Sequence, residues 1–488
     1  MSNKFLPVKI ISNYIDGELK EPVGGNYLDN IDPSTGQCYS KIPAGDSADV
    51  DLAVDAAERA FPQWSQTAAA ERSRILVRLA DLIHEHRAAL AEAECIDNGK
   101  PLSLALQMDI PRAEDNIRFF ATAILHWSSE AHIMENRAIN YTNRKPIGVV
   151  ACISPWNLPL YLFTWKIAPA LAAGNCVVAK PSEITPMTAF LFSKLCIQAG
   201  LPAGVLNIVH GLGSSAGEAL VNHRRVKAVS FTGGTTTGAR IAAAVAPKFK
   251  KLSLELGGKN PTIIFDDCDY DKMLRTTLRS AFANQGQICL CGSRILVHEK
   301  IYDRFVADFT AKVSAMKVGD PLKDETKTGA VVSEQHMQKI LSYIELAKTE
   351  GGTIVCGGKR VILDGRCSGG FFVEPTVIIG LGPECRTNQE EIFGPVATIQ
   401  SFTDESHALQ LANATHYGLA ASVWTSNVNR AHRFAANLES GIVWVNTWLL
   451  RDLRTPFGGV KHSGVGREGG WEALRFFTEP QNVCIEIE

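Results

Sequence analysis

Apolar residues recur along this chain with two different periods. Over residues 66–95 they return every three or four positions, which predicts an amphipathic helix. Residues 112–127 share that pattern. From residue 147 the texture changes to short β-rich runs: IGVVACIS, GNCVVAKP, GVLNIVHG, VKAVSFTGG and KLSLELGG. Helical segments separate them, at 162–173, 185–200, 214–223 and 236–247. Strands alternating with helices predict βαβ units and a mostly parallel sheet, with ligands at the carboxyl ends of its strands. A second α/β block begins near residue 258. It runs through PTIIFDDC, a helix over 270–284, RILVHE, a helix over 300–314, then FFVEPTVI, EIFGPVATIQSF and IVWVN. The tail RFFTEPQNVCIEIE ends in apolar/polar alternation and reads as a strand. Such a strand needs something to pair with, for example a partner subunit.

Composition narrows the class. A chain of 488 residues predicts two or three domains. Hydrophobic residues at 45% and charged residues at 20% fit a soluble globular protein. A formal net charge of −2 gives no overall field to attract nucleic acid or an anionic membrane. The N-terminal segment has no signal-peptide pattern. The most apolar region, LPLYLFTWKIAPALAAGNCVVA, is broken by Lys166, Pro169 and Gly174, and reads as a buried helix and strand rather than a membrane span. A cytoplasmic, reducing location follows, so the twelve cysteines, which form no CxxC pair, are expected to be neither disulfides nor zinc ligands. His84 and His86 lie two apart on a predicted helix and do not share a face, so no metal is expected.

Three turns could meet a nucleotide. GLGSSAG (211–217), with Gly213 and Gly217, follows VLNIVH and nearly matches the dinucleotide fingerprint, with one extra residue before the last glycine. FTGGTTTG (231–238) follows KAVSF. There Gly233 and Gly234 allow close backbone approach, and the helix start offers free N–H groups. KPSE (180–183) ends a third strand. Alone it reads as a solvated turn, yet a carboxylate there could hold a ribose diol and repel a 2′-phosphate, favouring NAD over NADP.

NQGQICLCG (284–292) sets Cys289 and Cys291 one residue apart. A cysteine reacts as the thiolate, whose formation nearby dipoles can favour. PWNLP (155–159) holds Asn157 in a Pro-bracketed loop, where its amide could donate to a developing oxyanion. LELGGK (254–259) places Glu255 at a strand end, where a desolvated carboxylate could act as general base. Each has a plainer reading: a small buried side chain, a loop-ordering amide, a carboxylate paired with lysine. Four arginines stand in otherwise apolar or helical settings: Arg451 and Arg454 in NTWLLRDLRTPFGG, Arg112 and Arg118 in DIPRAEDNIRFF. An arginine can grip a carboxylate with two hydrogen bonds. The plainer reading for each is a salt bridge.

PWNLP, KPSE, FTGG, LELGGK, GQICLCG, EEIFGPV (390–396) and PFGGVKHSGVGREGG (456–470) stand in the order and spacing of one family, over nearly the whole chain. On these motifs the chain resembles the NAD(P)-dependent aldehyde dehydrogenases. The resemblance implies a fold with a Rossmann-like α/β cofactor domain (1–125 and 147–257), an α/β catalytic domain (258–471) and a small β oligomerisation arm (126–146 and 472–488), assembled as a dimer or tetramer. It implies NAD as cofactor. It implies Cys289 as nucleophile, Glu255 as the base that activates water, and Asn157 with the Cys289 backbone N–H as oxyanion hole. Lys180 and Glu183, with Ser182 beside them, would hold the adenine ribose. Ile153, Pro155 and Trp156 would line the cleft with Phe231, Thr232 and Leu256. The turn from Gly233 and Gly234 to Gly238 would meet the pyrophosphate. Gly213 and Gly217 join the adenine side. Glu391 would hold the nicotinamide ribose, with Phe393 packed near it. Gly234 departs from the serine common in the family, which removes a hydroxyl contact and leaves the backbone donors. Cys291 is assigned to packing, with a resolving thiol as the alternative.

LLRDLRTPFGG and GREGG further resemble the 2-hydroxymuconic and 2-aminomuconic semialdehyde dehydrogenases, which oxidise dicarbonyl acids made by aromatic ring cleavage. That likeness implies that Arg112 and Arg451 bind the substrate's carboxylate and its keto or amino end, with Leu158, Trp165 and Trp448 as pocket walls. A broad aliphatic or aromatic aldehyde dehydrogenase is the alternative. A non-catalytic protein on the same fold would be expected to lack Cys289, Glu255 or Asn157, and all three are present.

Overall fold

The computed structural model describes residues 8–487, so the first seven residues of the N-terminal segment and Glu488 of the tail lie outside it. Five parallel strands form the middle of an eight-stranded sheet, in the order Leu206–Ile208, Cys176–Lys180, Val149–Ile153, Val226–Thr232, Lys251–Glu255. The chain builds outward in one direction from Val149–Ile153 and then returns to its other side with Val226–Thr232. The loops leaving these two strands therefore diverge and open a crevice between them. The strands are buried on both faces, as expected when helices cover a parallel sheet. One covering helix, Pro159–Ala172, is buried along its entire length, which accounts for its apolar composition. Among the described residues no helix is long and apolar enough to cross a membrane.

Lys251–Glu255 leads through residues 256–260 directly into Pro261–Ile264, a central strand of a second, seven-stranded sheet. There Pro261–Ile264 lies between Arg294–His298 and Ala420–Trp424, parallel to both. The carboxyl ends of the first sheet thus face the amino ends of the second. Arg294 is fully buried and bonds the carbonyls of Lys259, Leu411 and Ala412, so its charge is met entirely by backbone oxygens. The tail strand, Thr478–Glu486, pairs antiparallel with Ala138–Pro146 of the same chain, and Ala131–Met134 completes this three-stranded sheet. The pairing partner sought in the sequence is intramolecular.

Several boundaries differ from the sequence pattern. The 66–95 segment is divided between Ala69–Glu85 and Arg87–Asn98, because His86 leaves helical geometry. A preceding helix, Ser47–Gln66, is fixed by a capping box at Asp46. The 270–284 helix stops at Phe282. Asn284, Gln285 and Gly286 then take left-handed backbone angles, which turn the chain out of the helical path. A Cβ on Gly286 would fall 2.0 Å from the Gly394 carbonyl oxygen. Gly286→Ala should therefore lower stability by about 2 kcal/mol or more, seen as a drop in thermal midpoint. An unchanged midpoint would mean that this turn has room for a side chain.

Candidate active site

The loop after Val149–Ile153 carries Pro155, Trp156 and Asn157, and the turn after Val226–Thr232 carries Gly233 and Gly234. Between them lies a cleft of about 760 Å³, also lined by Ile153, Lys180, Ser182, Glu183, Gly213, Gly217 and Phe231. Lys180 Nζ donates to Glu183 at 3.1 Å. Lys180 and Ser182 are buried, so KPSE is a cleft wall and not the solvated turn its composition suggests. Helix Thr235–Val245 starts at Gly234 with no side-chain cap, leaving first-turn N–H groups for a ligand. A Cβ on Gly213 or Gly234 would meet nothing within 4 Å, so both open onto the cleft. Gly238 does not line it. It sits inside the helix, and a Cβ there would press on Leu256 at 2.5 Å. The buried hydroxyls of Ser154 and Thr232 have no hydrogen-bond partner among the described residues. Bare helix N–H groups, unpartnered hydroxyls and a carboxylate beside a lysine fit the phosphates and ribose of a dinucleotide.

The cleft continues into a second cavity of about 260 Å³, walled by Trp156, Asn157, Leu256, Cys289, Glu391 and Phe393 among others. Glu391 accepts from the Gly258 N–H at 2.9 Å. A Cβ on Gly257 would meet Glu391 Oε2 at 2.3 Å, so that glycine makes room for the carboxylate. Phe393 packs edge-on against Trp156 with ring centres 5.2 Å apart. His336, unassigned from sequence, lies against both rings and bonds the Phe393 carbonyl at 2.7 Å.

Beyond Cys289 lies a narrow, mostly apolar pocket whose walls include Leu158, Tyr161, Glu255, Leu449, Arg451 and Phe457. Cys289 borders both this pocket and the cavity behind it. Asn157 donates Nδ2–H to the Gln287 carbonyl at 2.9 Å, which brings it beside the cysteine segment and leaves a second amide hydrogen. Asn260 Nδ2 bonds the carbonyls of Cys289 (2.7 Å) and Cys291 (2.9 Å). Cys291 is buried and does not line the pocket.

Glu255 is buried, and among the described residues neither of its carboxylate oxygens finds a hydrogen-bond partner. Burial, then the Glu468 charge, holds its carboxyl well above the usual range, with Lys166, Arg467 and Arg451 pulling the other way. Gly458 makes space for it: a Cβ there would approach Glu255 Oε1 to 2.6 Å. Lys166 and Glu468 form a buried pair at 2.7 Å next to it. In the sequence Lys166 reads only as an interruption of an apolar run, and nothing there marks Glu468. Burial likewise pushes the Cys289 thiol up, with Glu391, Glu255 and Cys291 adding and Arg451 opposing. This runs against the lowering that nearby dipoles can give.

The four arginines separate cleanly. Arg118 pairs with Asp81 and Glu114, and exposed Arg454 pairs with Asp452. Arg451 enters the pocket. Its guanidinium lies 3.9 Å from the Phe457 ring centre and 4.9 Å from that of Trp165, and donates to the Tyr161 hydroxyl at 2.8 Å. Arg112 does not line the pocket but lies 6.0 Å from the Tyr161 ring centre. Trp165 supports Arg451 from behind. Trp448 holds the Leu290 carbonyl at 2.8 Å and is likewise off the wall. Tyr161 and Leu162 were missed, although they fall between Leu158 and Trp165 at helical spacing and share their face.

Residues 21–483 match the aldehyde dehydrogenase family. The chain is 49% identical over 480 residues to 2-aminomuconic semialdehyde dehydrogenase of Bos taurus, covering 98% of each. It is 46% identical over 486 residues to 2-hydroxymuconic semialdehyde dehydrogenase of Pseudomonas sp. (strain CF600), covering 98% of this chain and all of that one. The NAD+ complex of aldehyde dehydrogenase from Bacillus cereus superposes with a TM-score of 0.96 at 39% identity, covering 99% of this chain and 98% of that one. The protein belongs to the aldehyde dehydrogenase family and is an oxidoreductase acting on aldehydes.

The raised thiol gives a measurable pH dependence. Because burial favours the neutral form, the thiolate fraction of Cys289 grows as pH rises. Alkylation of Cys289 by iodoacetamide should accelerate from neutral to alkaline pH with no plateau below about pH 9. A plateau near neutrality would mean that the thiol is activated in the free enzyme.

Proposed function

We propose that this enzyme uses NAD to oxidise a semialdehyde that carries a carboxylate, of the 2-aminomuconic or 2-hydroxymuconic class, to the corresponding acid. The observation that carries the reading is Arg451. It is a guanidinium in an apolar pocket beside Cys289, stacked on aromatic rings and, among the described residues, forming no ion pair. A permanent cation there is matched to an anionic substrate group. The names of the two relatives fit this chemistry.

Cys289 Sγ, as the thiolate, adds to the aldehyde carbon. The resulting oxyanion takes hydrogen bonds from the free Asn157 amide hydrogen and the Cys289 N–H, the side-chain donor being worth about 3–4 kcal/mol. Lys180, Glu183, the Gly233–Gly234 turn and Glu391 would hold NAD, which when bound would accept the hydride that leaves the former aldehyde carbon. The acyl group then remains on Sγ as a thioester. Glu255 removes a proton from water as the water oxygen adds to the acyl carbon. The C–S bond breaks, the acid leaves and Sγ is again a thiolate. A raised Glu255 is suited to this task, since its basic form gains strength and becomes populated as pH rises. We also propose a homo-oligomer. Ile133, Ile139 and Ile485 lie exposed on the three-stranded sheet, and among the described residues no strand pairs with the outer edge of Thr478–Glu486.

With 2-hydroxymuconic semialdehyde, Arg451→Ala should lower kcat/KM about 10–100-fold, and rates with benzaldehyde and hexanal should change little. If the simple aldehydes are preferred and the substitution changes nothing, the enzyme is a broad-specificity aldehyde dehydrogenase. Cys289→Ala should abolish NADH formation whereas Cys291→Ala keeps most of it. Glu255→Ala should release one equivalent of NADH and then stall as the thioester. Steady turnover by that variant would point to another base.

A further inference from the structure

Behind the active site lies a buried ionic cluster that the chemistry above does not use. Lys100, Glu94 and Asp109 are each completely inaccessible to solvent. Lys100 Nζ is 2.5 Å from Asp109 Oδ2 and 3.6 Å from Glu94 Oε1. Its third contact is the backbone carbonyl of Asn157, at 3.1 Å. Three chain features bring these groups together. Helix Arg87–Asn98 ends at Gly99 in a left-handed conformation, with Lys100 next. A wide helical turn over Ala105–Asp109 re-aims Asp109 towards Lys100. The same turn carries Met108 on the wall of the substrate pocket.

The cluster holds the PWNLP loop at several points. Asn98 Nδ2 donates to the Trp156 carbonyl at 2.9 Å, and Glu94 accepts from the Leu160 N–H at 3.3 Å. The Asn157 carbonyl already has neutral donors, Asn284 Nδ2 at 2.9 Å and the more distant Asn98 Nδ2 at 3.5 Å. A backbone carbonyl needs no cation for satisfaction, and an ammonium buried with two carboxyls is costly to desolvate. What Lys100 adds is a charge-assisted bond to the same oxygen. Such a bond, beside the shorter amide contact, restricts rotation of the peptide plane. The Asn157 side chain is fixed as well, by its bond to Gln287. With both held, the remaining amide hydrogen has a defined direction.

We propose that Lys100 is a positioning residue: locked by Asp109 and Glu94, it holds the Asn157 carbonyl and so aims the Asn157 amide at the oxygen of the reacting carbonyl. The proposal rests on the oxyanion role given to Asn157 above. It makes the 94–109 segment part of the apparatus for carbonyl attack, although none of its three charged groups touches the reacting atoms.

Two reactions of Cys289 test it in the full enzyme without cofactor. Iodoacetamide alkylates sulfur by displacing iodide from a saturated carbon and forms no oxyanion. p-Nitrophenyl acetate transfers its acetyl group to sulfur through a tetrahedral oxyanion and expels p-nitrophenolate. Lys100→Met should slow nitrophenolate release about tenfold or more and leave Cys289 alkylation, followed by peptide mass spectrometry, unchanged. Asp109→Asn keeps the side-chain volume and should act in the same direction. It carries the test if Lys100→Met does not fold. In an Asn157→Ala background, Lys100→Met should add little further loss. Equal slowing of both reactions, or unchanged nitrophenolate release in a folded variant, overturns the proposal. If Asn157→Ala alone leaves nitrophenolate release unchanged, the oxyanion reading fails and this inference with it.

Discussion

Everything around Cys289 depends on one constraint: an irregular stretch of backbone is buried, and its polar groups must find partners away from water. Residues 284–292 form no α-helix or strand, and three in succession, within the tight turn Ala283–Gly286, take left-handed angles. Amide side chains do what a ladder of regular bonds would otherwise do. Asn157 holds Gln287, Asn260 holds Cys289 and Cys291, Gln285 holds Ala330, and Gln287 accepts from Val332. These bonds join the two sheets, so the sulfur is located by both at once.

Burial also sets the electrostatics. Both Glu255 and Cys289 sit where their charged forms are disfavoured. A base held in this way is strong once ionised, and a thiol held in this way resists stray reaction. Arg451, Lys166 and Arg467 moderate the cost from one side, and Glu468 and Glu391 increase it from the other. The site is a balance among a few charges within one poorly hydrated volume, and small displacements there have large effects.

Much of this was legible in the sequence because it is local. Helices announced themselves by period, strands by β-rich runs, and cleft-lining turns by glycines that follow strands. Asn157, Glu255 and Cys289 could be singled out because each sits in a distinctive short motif. What could not be read is pairing at a distance. Within DIPRAEDNIRFF, Glu114 stands four residues before Arg118 and pairs with it, but the carboxylate that claims Arg118 across helices is Asp81, 37 residues away, and nothing in the segment points to that one. Lys180 looked solvated because its cover comes from other elements. Trp165 and Trp448 looked like walls because a large aromatic gives no hint of which layer it occupies. Tyr161 is the instructive omission: the spacing was there, and a polar tip on an otherwise apolar helix face marked it.

The sheets are also interlaced by the chain's return. After completing the second sheet, the backbone comes back to place Gly464–Val465 against Lys251–Glu255, and then Thr478–Glu486 against Ala138–Pro146. The register partners Thr478 and Pro146 are 332 positions apart in sequence. No single cut would release an intact half, because each piece would leave behind a strand that the other requires. During synthesis the early strands must wait, with open edges, until hundreds of later residues have emerged. Contacts so remote slow folding and leave a long interval in which exposed edges can pair wrongly. The architecture that brings two sheets to one sulfur thus increases dependence on conditions that keep the growing chain apart from its neighbours.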